Sequence, residues 1–319
     1  AAVLLGLALG ERARSGRDKL TFVTDPALAS FGGWAEQLIA ESTGKHGMGI
    51  VPVDGEPPGD VGAYGDDRAF VGLAMTDSGD PSDGLLDALA AAGHPVIRLT
   101  IDDPMDLGGE FIRWEVATAI AGAVLGIDPF DQPNVEEAKD RTRRVLAAAF
   151  GPHASDGAGA PSPELAARSI AEFGEDGLAD AIRASLGAQR PGRYAAIQAF
   201  IAPSPAADVA IWRIRALVRD RTGHATTAGY GPRFLHSTGQ LHKGGAPIGW
   251  FLQLTAEHPH DRPIPGWPYT FGQLIDGQAQ GDAEALASRN LPILRLRLGG
   301  DIEADLAVLE RAFARALGG

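Results

Sequence analysis

Apolar residues follow two rhythms along this chain, and the two take turns. Short runs rich in β-branched residues, LTFVT at 20–24, GIVPV at 49–53, AFVGLAM at 69–75 and PVIRLTI at 95–101, read as strands of a largely buried sheet. Pro95 takes the first position of its run, where a missing amide donor costs little. Between the runs, apolar positions recur at helical spacing: FGGWAEQLIAE at 31–41, GLLDALAAAGH at 84–94, and a long segment over 108–126 that Gly126 and Pro129 bring to a stop. A further helix is expected over 134–150, opened by Asn134. Glu136 and Glu137 lie in its first turn and Arg141, Arg143 and Arg144 beyond, the sense the helix dipole favours. Residues 1–10 read as a helix too, since no basic segment precedes them and Glu11 and Arg12 follow.

Residues 151–163, rich in Gly, Ala, Ser and Pro, read as a linker, and a helical piece is expected over 163–186. The alternation then returns. Strands are expected at YAAIQAFI (194–201), ATTAGYG (225–231), GWFLQLT (249–255) and PILRLRL (292–298), with helices over 207–223, 271–288 and 301–317. The stretches 93–117 and 290–314 run in step, each a proline-led strand, then acid, then an amphipathic helix. This repetition predicts the α/β class: two doubly wound lobes, each a mostly parallel sheet with helices on its faces. The expected organisation is a first lobe over 1–152, a linker and helical segment over 153–189, and a second lobe over 190–319. Ligands of such sheets bind outside the carboxyl ends of strands, so chemistry is sought in the loops.

Composition narrows the classes. With 319 residues, 45% hydrophobic and 22% charged, the chain is ordinary globular material, long enough for two cores. A membrane span needs roughly 18 to 20 apolar residues, and the nearest run, 116–127, is too short. The absence of cysteine excludes disulfides, thiolate metal sites and a cysteine nucleophile. A net charge of −13 argues against nonspecific nucleic-acid binding. With no targeting segment legible, cytoplasm is the expected compartment; the missing initial Met suggests a piece of a longer polypeptide. Acid concentrates over 54–83, where Arg68 is the single base, and Arg213, Arg215, Arg219, Arg221 and Arg233 gather later. Both groups are expected to be solvated surface.

No GxGxxG, Walker loop, HExxH or GxSxG is present, so dinucleotide, nucleoside triphosphate, zinc-protease and serine-hydrolase chemistry lack their usual support. Three segments carry unusual residues instead. In ESTGK (41–45), Glu41 stands where a helix pattern gives way to small polar residues. It is either an ordinary residue near a helix end capped by Gly44, or a carboxylate held in a cleft and fit to move a proton. In PFDQPNVEEAK (129–139), Gln132 and Lys139 suit an anionic, hydroxyl-rich ligand, or else an interhelix turn and a surface lysine. In YGPRFLHSTGQLHKGG (230–245), His236, Ser237, Gln240, His242 and Lys243 crowd a glycine-flanked window expected to be a loop, denser in donors and acceptors than packing requires. No carboxylate has ligand spacing to these histidines, so no metal is expected.

Together the three segments resemble the phosphoglucose isomerase family: ESTGK its ESNGK-type motif, FDQPNVEEAK its FDQ…VE…K signature, and HSTGQ its HS-x-x-Q histidine segment. GYGPRFLHSTGQLHKGG looks most like the isomerase portion of transaldolase–phosphoglucose isomerase fusions. The resemblance implies SIS-like (sugar-isomerase) lobes and a cofactor-free interconversion of glucose 6-phosphate and fructose 6-phosphate through an enediol(ate). It implies Glu41 as the base between C1 and C2, His236 in ring opening, Lys139 at the ring or its oxygen, and Gln132 holding substrate. It also implies a transaldolase domain upstream and is compatible with a homo-oligomer. The histidine segment comes last here, whereas it lies between the other two in ordinary members, which usually supply it from a neighbouring subunit. The expectation is that the second lobe presents His236 to the first within one chain. Nothing upstream of Glu41 matches the family's Ser/Thr phosphate loop or catalytic arginine, so little activity is expected of the chain by itself. A non-catalytic sugar-phosphate-binding or assembly module is the alternative.

Overall fold

The computed structural model describes residues 1–76, 82–131, 135–151, 165–187 and 192–318, with backbone alone at 82 and 135–139. After helix α1 (Ala2–Arg14), the first half runs β1 (Lys19–Thr24), α2 (Ala29–Thr43), β2 (Val51–Val53), β3 (Arg68–Met75), α3 (Ser82–Ala91), β4 (Val96–Ile101) and α4 (Leu107–Leu125). Its four strands are parallel in the order β2-β1-β3-β4. Helix α5 (Val135–Phe150), strand β5 (Arg168–Ser169) and α6 (Gly174–Leu186) lead to the second half. There follow β6 (Tyr194–Phe200), α7 (Pro205–Thr222), β7 (Ala225–Tyr230), α8 (Thr238–Gly244), β8 (Gly249–Ala256), α9 (Phe271–Ala287), β9 (Ile293–Leu298) and α10 (Ile302–Leu317). This sheet is also parallel, in the order β5-β9-β8-β6-β7.

The order 2-1-3-4 in one sheet and 7-6-8-9 in the other is the same connectivity used twice. The two stretches that ran in step in the sequence are β4–α4 and β9–α10, which hold equivalent places. The fold is mixed α/β with two parallel sheets, as the periodicity predicts. Helix α5 packs on α9 and α6 on α10, so both connecting helices lie against the second half. The helix expected over 163–186 begins only at Gly174, whose φ of 62° breaks any earlier helix. Arg168 and Ser169 instead pair with Leu296 and Arg297 at the edge of the sheet. Among the described residues, no helix is long and apolar enough to cross a membrane.

The halves share a core. Ala40, Val51 and Val53 cluster with Tyr194, Ala196, Ala225, Leu241, Phe251, Leu286 and Leu291, residues drawn from both sheets and their helices. Beside it, part of the acidic stretch meets two of the arginines, which corrects the expectation of solvated surface at Glu56, Arg68, Arg215 and Arg219, while Asp60, Asp66 and Asp83 are exposed as expected. Arg215 and Arg219, four apart on one face of α7, are buried. Arg215 donates to the carbonyls of Asp54 (2.7 Å), Gly55 (2.8 Å) and Thr226 (2.7 Å), and Arg219 donates to the carbonyl of Pro57. Arg68 donates to both oxygens of Glu56 at 2.9 and 3.0 Å and also to the His224 carbonyl. Glu56 accepts from the Thr226 amide (2.8 Å) and hydroxyl (2.7 Å) as well. Arg215 and Arg219 thus take up the carbonyls left bare where β2 ends, and Arg68 is held by the Glu56 carboxylate. Arg213, Arg221 and Arg233 stay exposed, as expected.

Burial alone raises the Glu56 carboxyl, but Arg68, Arg215 and the Thr226 hydroxyl outweigh it and hold the group below its ordinary 4.5. A depressed carboxylate contributes stability above its unfolded pKa and loses it as pH falls through the folded value. Glu56→Gln leaves Arg68 buried beside a neutral partner and is expected to cost about 3–5 kcal/mol at pH 7. The gap between variant and wild type should narrow below pH 4, measured by urea titration; a constant gap would show that the charge is irrelevant.

Candidate active site

Helix α2 buries Phe31, Ala35 and Ile39, the i, i+4 stripe of an amphipathic helix, against the first sheet. Glu41 lies near its end, half-buried, with Gln37 Nε2 donating to its Oε2 at 3.4 Å. The helix stops at Thr43, whose hydroxyl donates to the Ile39 carbonyl (2.8 Å) and accepts from the Ile50 amide (3.0 Å). Gly44 follows as the cap residue, but its φ of −73° is open to any amino acid. What demands glycine is the second half of the molecule: a Cβ at Gly44 would overlap the Leu241 backbone of α8. Gln240 Nε2 donates to the Gly44 carbonyl at 2.8 Å, and the Gly47 amide donates to the Gly244 carbonyl at 2.9 Å. The first and third sequence segments are thus packed backbone to backbone.

The first segment also reaches the residue just before the second: Lys45 Nζ donates to the Asp128 carbonyl at 2.7 Å. Asp128 follows α4, which Gly126 ends in the left-handed conformation, φ 74°. Its carboxylate accepts from the Phe130 amide at 2.9 Å and shapes the turn toward Asp131. Gln132 lies outside the described residues. Lys139 is in α5, and its side chain lies outside them too.

The window expected to be a loop is a 3-10 turn over Arg233–His236 followed by helix α8. His236 is exposed at the junction of the two. Ser237, Thr238, Gln240, His242 and Lys243 are buried instead, because packing uses them. His242 is buried, stacked on Tyr194 at 6.0 Å and edge-on to Phe251 at 5.0 Å. Burial, with help from the Lys243 charge, pushes it down to about 3, so it is neutral. Lys243 Nζ meets Asp282 Oδ1 at 2.7 Å, a fully buried pair between α8 and α9. The buried donors of this stretch therefore hold α8 in place, and His236 is its exposed imidazole.

Two groups were not legible in the sequence as site residues. One is Lys45. The other is Glu36 on α2, which lies in the field of Asp54, Arg215 and Arg233, drawn from positions no single window contains. Burial, then the Asp54 carboxylate, raise Glu36 to about 7 against the pull of Arg215 and Arg233.

No family model matches the chain. Curated proteins do. The similarity is to glucose-6-phosphate isomerases. That of Lactobacillus helveticus (strain DPC 4571) is 30% identical over 152 residues, covering 36% of this chain and 34% of the relative. That of Rubrobacter xylanophilus (strain DSM 9941) is 31% identical over 169 residues, covering 41% and 39%. The chain spans well under half the length of these isomerases. Among solved structures, a glucose-6-phosphate isomerase from Chlamydia trachomatis aligns over 98% of this chain and 68% of its own, with 16% identity and a TM-score of 0.34. A hypothetical protein from Thermus thermophilus aligns over 99% and 86%, with 13% identity and a TM-score of 0.37.

The two local features give separate expectations. Because the raised Glu36 carboxyl is penalised when charged, its cost grows as pH rises from 4.5 through 7. Glu36→Gln should therefore stabilise by about 1–2 kcal/mol at pH 8, after discounting for partial exposure, and by nothing near pH 4. A melting-temperature series across pH checks this. Gly44→Ala should cost about 1–3 kcal/mol through overpacking against Leu241; an unchanged melting temperature would deny the close approach.

Proposed function

We propose that the chain is the isomerase part of an aldose–ketose isomerase interconverting glucose 6-phosphate and fructose 6-phosphate, within a longer polypeptide that carries a transaldolase upstream. The observation that carries the reading is a junction of distant stretches: Gln240 on the Gly44 carbonyl joins the third segment to the first, and Lys45 on the Asp128 carbonyl joins the first to the residue just before the second. The first and third of the segments that resemble one family's signatures pack against each other, the first also holds the residue just before the second, and the similarity to glucose-6-phosphate isomerases supports the same class.

In this reading Glu41 takes the proton from C2 of the open-chain aldose, and charge develops on O1 of the enediolate. The proton returns from the same carboxyl to C1 as C2 becomes the carbonyl, and the O2 hydroxyl proton passes to O1. A proton beside a carbonyl is acidic enough for a positioned carboxylate, and the developing oxyanion requires donors nearby. His236, from the same chain, assists ring opening; Lys139 acts at the ring or its oxygen; Gln132 holds the substrate. Fixing the sugar phosphate removes the entropic cost of encounter from the chemical step.

Isomerisation of fructose 6-phosphate, followed by coupled assay on this chain and on the full-length polypeptide, tests the reading. Turnover is expected in the full-length protein and little in the chain by itself. Glu41→Gln should lose about 10²–10⁴ in kcat while still binding hexose 6-phosphate. Turnover that survives Glu41→Gln would sink the assignment of the base. Binding without any turnover would mark a non-catalytic sugar-phosphate module, and neither would mark an assembly role.

A further inference from the structure

A cavity of about 330 Å³ lies between β8 and β9 on one side and helices α5 and α9 on the other, at the small end of the range for ligand pockets. Neither Glu41 nor His236 lines it. Its walls differ in kind. Alternate residues of a strand share a face, so Arg295 and Arg297 both stand on the sheet wall, beside their register partners Gln253 and Thr255. The wall from α5 is apolar and presents Val145, Leu146, Ala149 and Phe150. An aliphatic residue at 295 would match that wall and escape the cost of burying a charge. Arg295 is nevertheless only 8% exposed, and no carboxylate pairs with it among the described residues. Its Nε donates to Gln253 Oε1 at 2.7 Å, and its Nη1 donates to Gln280 Oε1 at 2.6 Å and to the Leu165 carbonyl. All three acceptors are neutral. The carboxylates of the neighbourhood are engaged elsewhere. Glu284 accepts from the Gln280 amide at 2.7 Å, Asp276 meets His258 at 3.0 Å, and Asp282 meets Lys243 at 2.7 Å. Nη2 of Arg295 donates to none of the described residues, and Arg297, exposed where it borders the cavity, makes no ion pair among them.

We propose that this cavity is a binding site for a small carboxylate with an apolar body, its charged end on Arg295 Nη2 and Arg297 and its body against α5. Gln253 and Gln280 hold the guanidinium in place before any ligand arrives, so little side-chain freedom is lost on binding. One free nitrogen on a buried guanidinium suits a single negative charge. A phosphate dianion would have to shed more water than the apolar wall replaces. The inference stands on this cavity and is independent of the isomerase reading.

Equilibrium dialysis of radiolabelled benzoate against the full-length protein tests this. A single saturable site per chain is expected. Unlabelled hexanoate should displace the label; benzamide, which has the shape of benzoate without its charge, should not, and neither should inorganic phosphate. Ala149→Phe fills the apolar side and is expected to abolish binding while the protein still unfolds cooperatively near the wild-type temperature. Arg297→Gln should weaken binding about threefold or more. Arg295→Lys keeps a cation but cannot serve Gln253, Gln280 and the ligand together, and should weaken it about tenfold or more. If Arg295→Lys does not fold, Ala149→Phe and Arg297→Gln decide between them. Benzoate binding unchanged in Ala149→Phe overturns the site. Displacement by benzamide as effective as that by hexanoate overturns the anion, and equal displacement by phosphate overturns the carboxylate. An absence of saturable binding up to about 10 mM overturns the proposal as a whole.

Discussion

The carboxylate of Glu56 takes hydrogen bonds from both halves of the molecule, from Arg68 on one side and from the Thr226 amide and hydroxyl on the other. Burying a carboxylate is unfavourable unless its lone pairs are filled, and here every one of these donors is fixed by a strand or its flank. The segment that carries Glu56 leaves β2, and β2 begins six residues after Lys45. Locking the end of β2 against β7 therefore also locks the turn that precedes it. Gly44 can lie on Leu241, and Gln240 can reach the Gly44 carbonyl, only while that register holds.

Much of the fold was legible, because parallel strands buried on both faces and amphipathic helices leave opposite periodicities in the chain. The repeated strand order shows through as the matched stretches 93–117 and 290–314. Where legibility failed, the cause was tertiary. Arg215 and Arg219 look like any basic helix face until Asp54, Gly55 and Pro57 arrive with bare carbonyls. His242 looks like a donor until Tyr194, Phe234 and Phe251 surround it.

The site divides in the same way. The three segments stood out by residue type, and their adjacency was expected. Which groups do the joining was not, since Lys45, Gln240 and the carbonyl of Asp128, just outside the second segment, carry no local mark of that role. Gly44 is instructive: its sequence context suggests a helix cap, yet its dihedral angles are ordinary and the contact with α8 is what excludes a side chain. The buried Lys243–Asp282 pair is likewise silent in sequence, two charges 39 residues apart that meet only when α8 and α9 dock.

The hydrophobic cluster that mixes Val51 and Val53 with Tyr194, Leu241 and Phe251 has a mechanical consequence. Swinging one sheet away from the other would wet those residues and strand several buried guanidinium groups at once. A clamshell motion is therefore closed to this architecture. Adjustment is left to rotamer changes and small shifts of short turns around an otherwise stationary frame, the exposed turn that carries His236 among them.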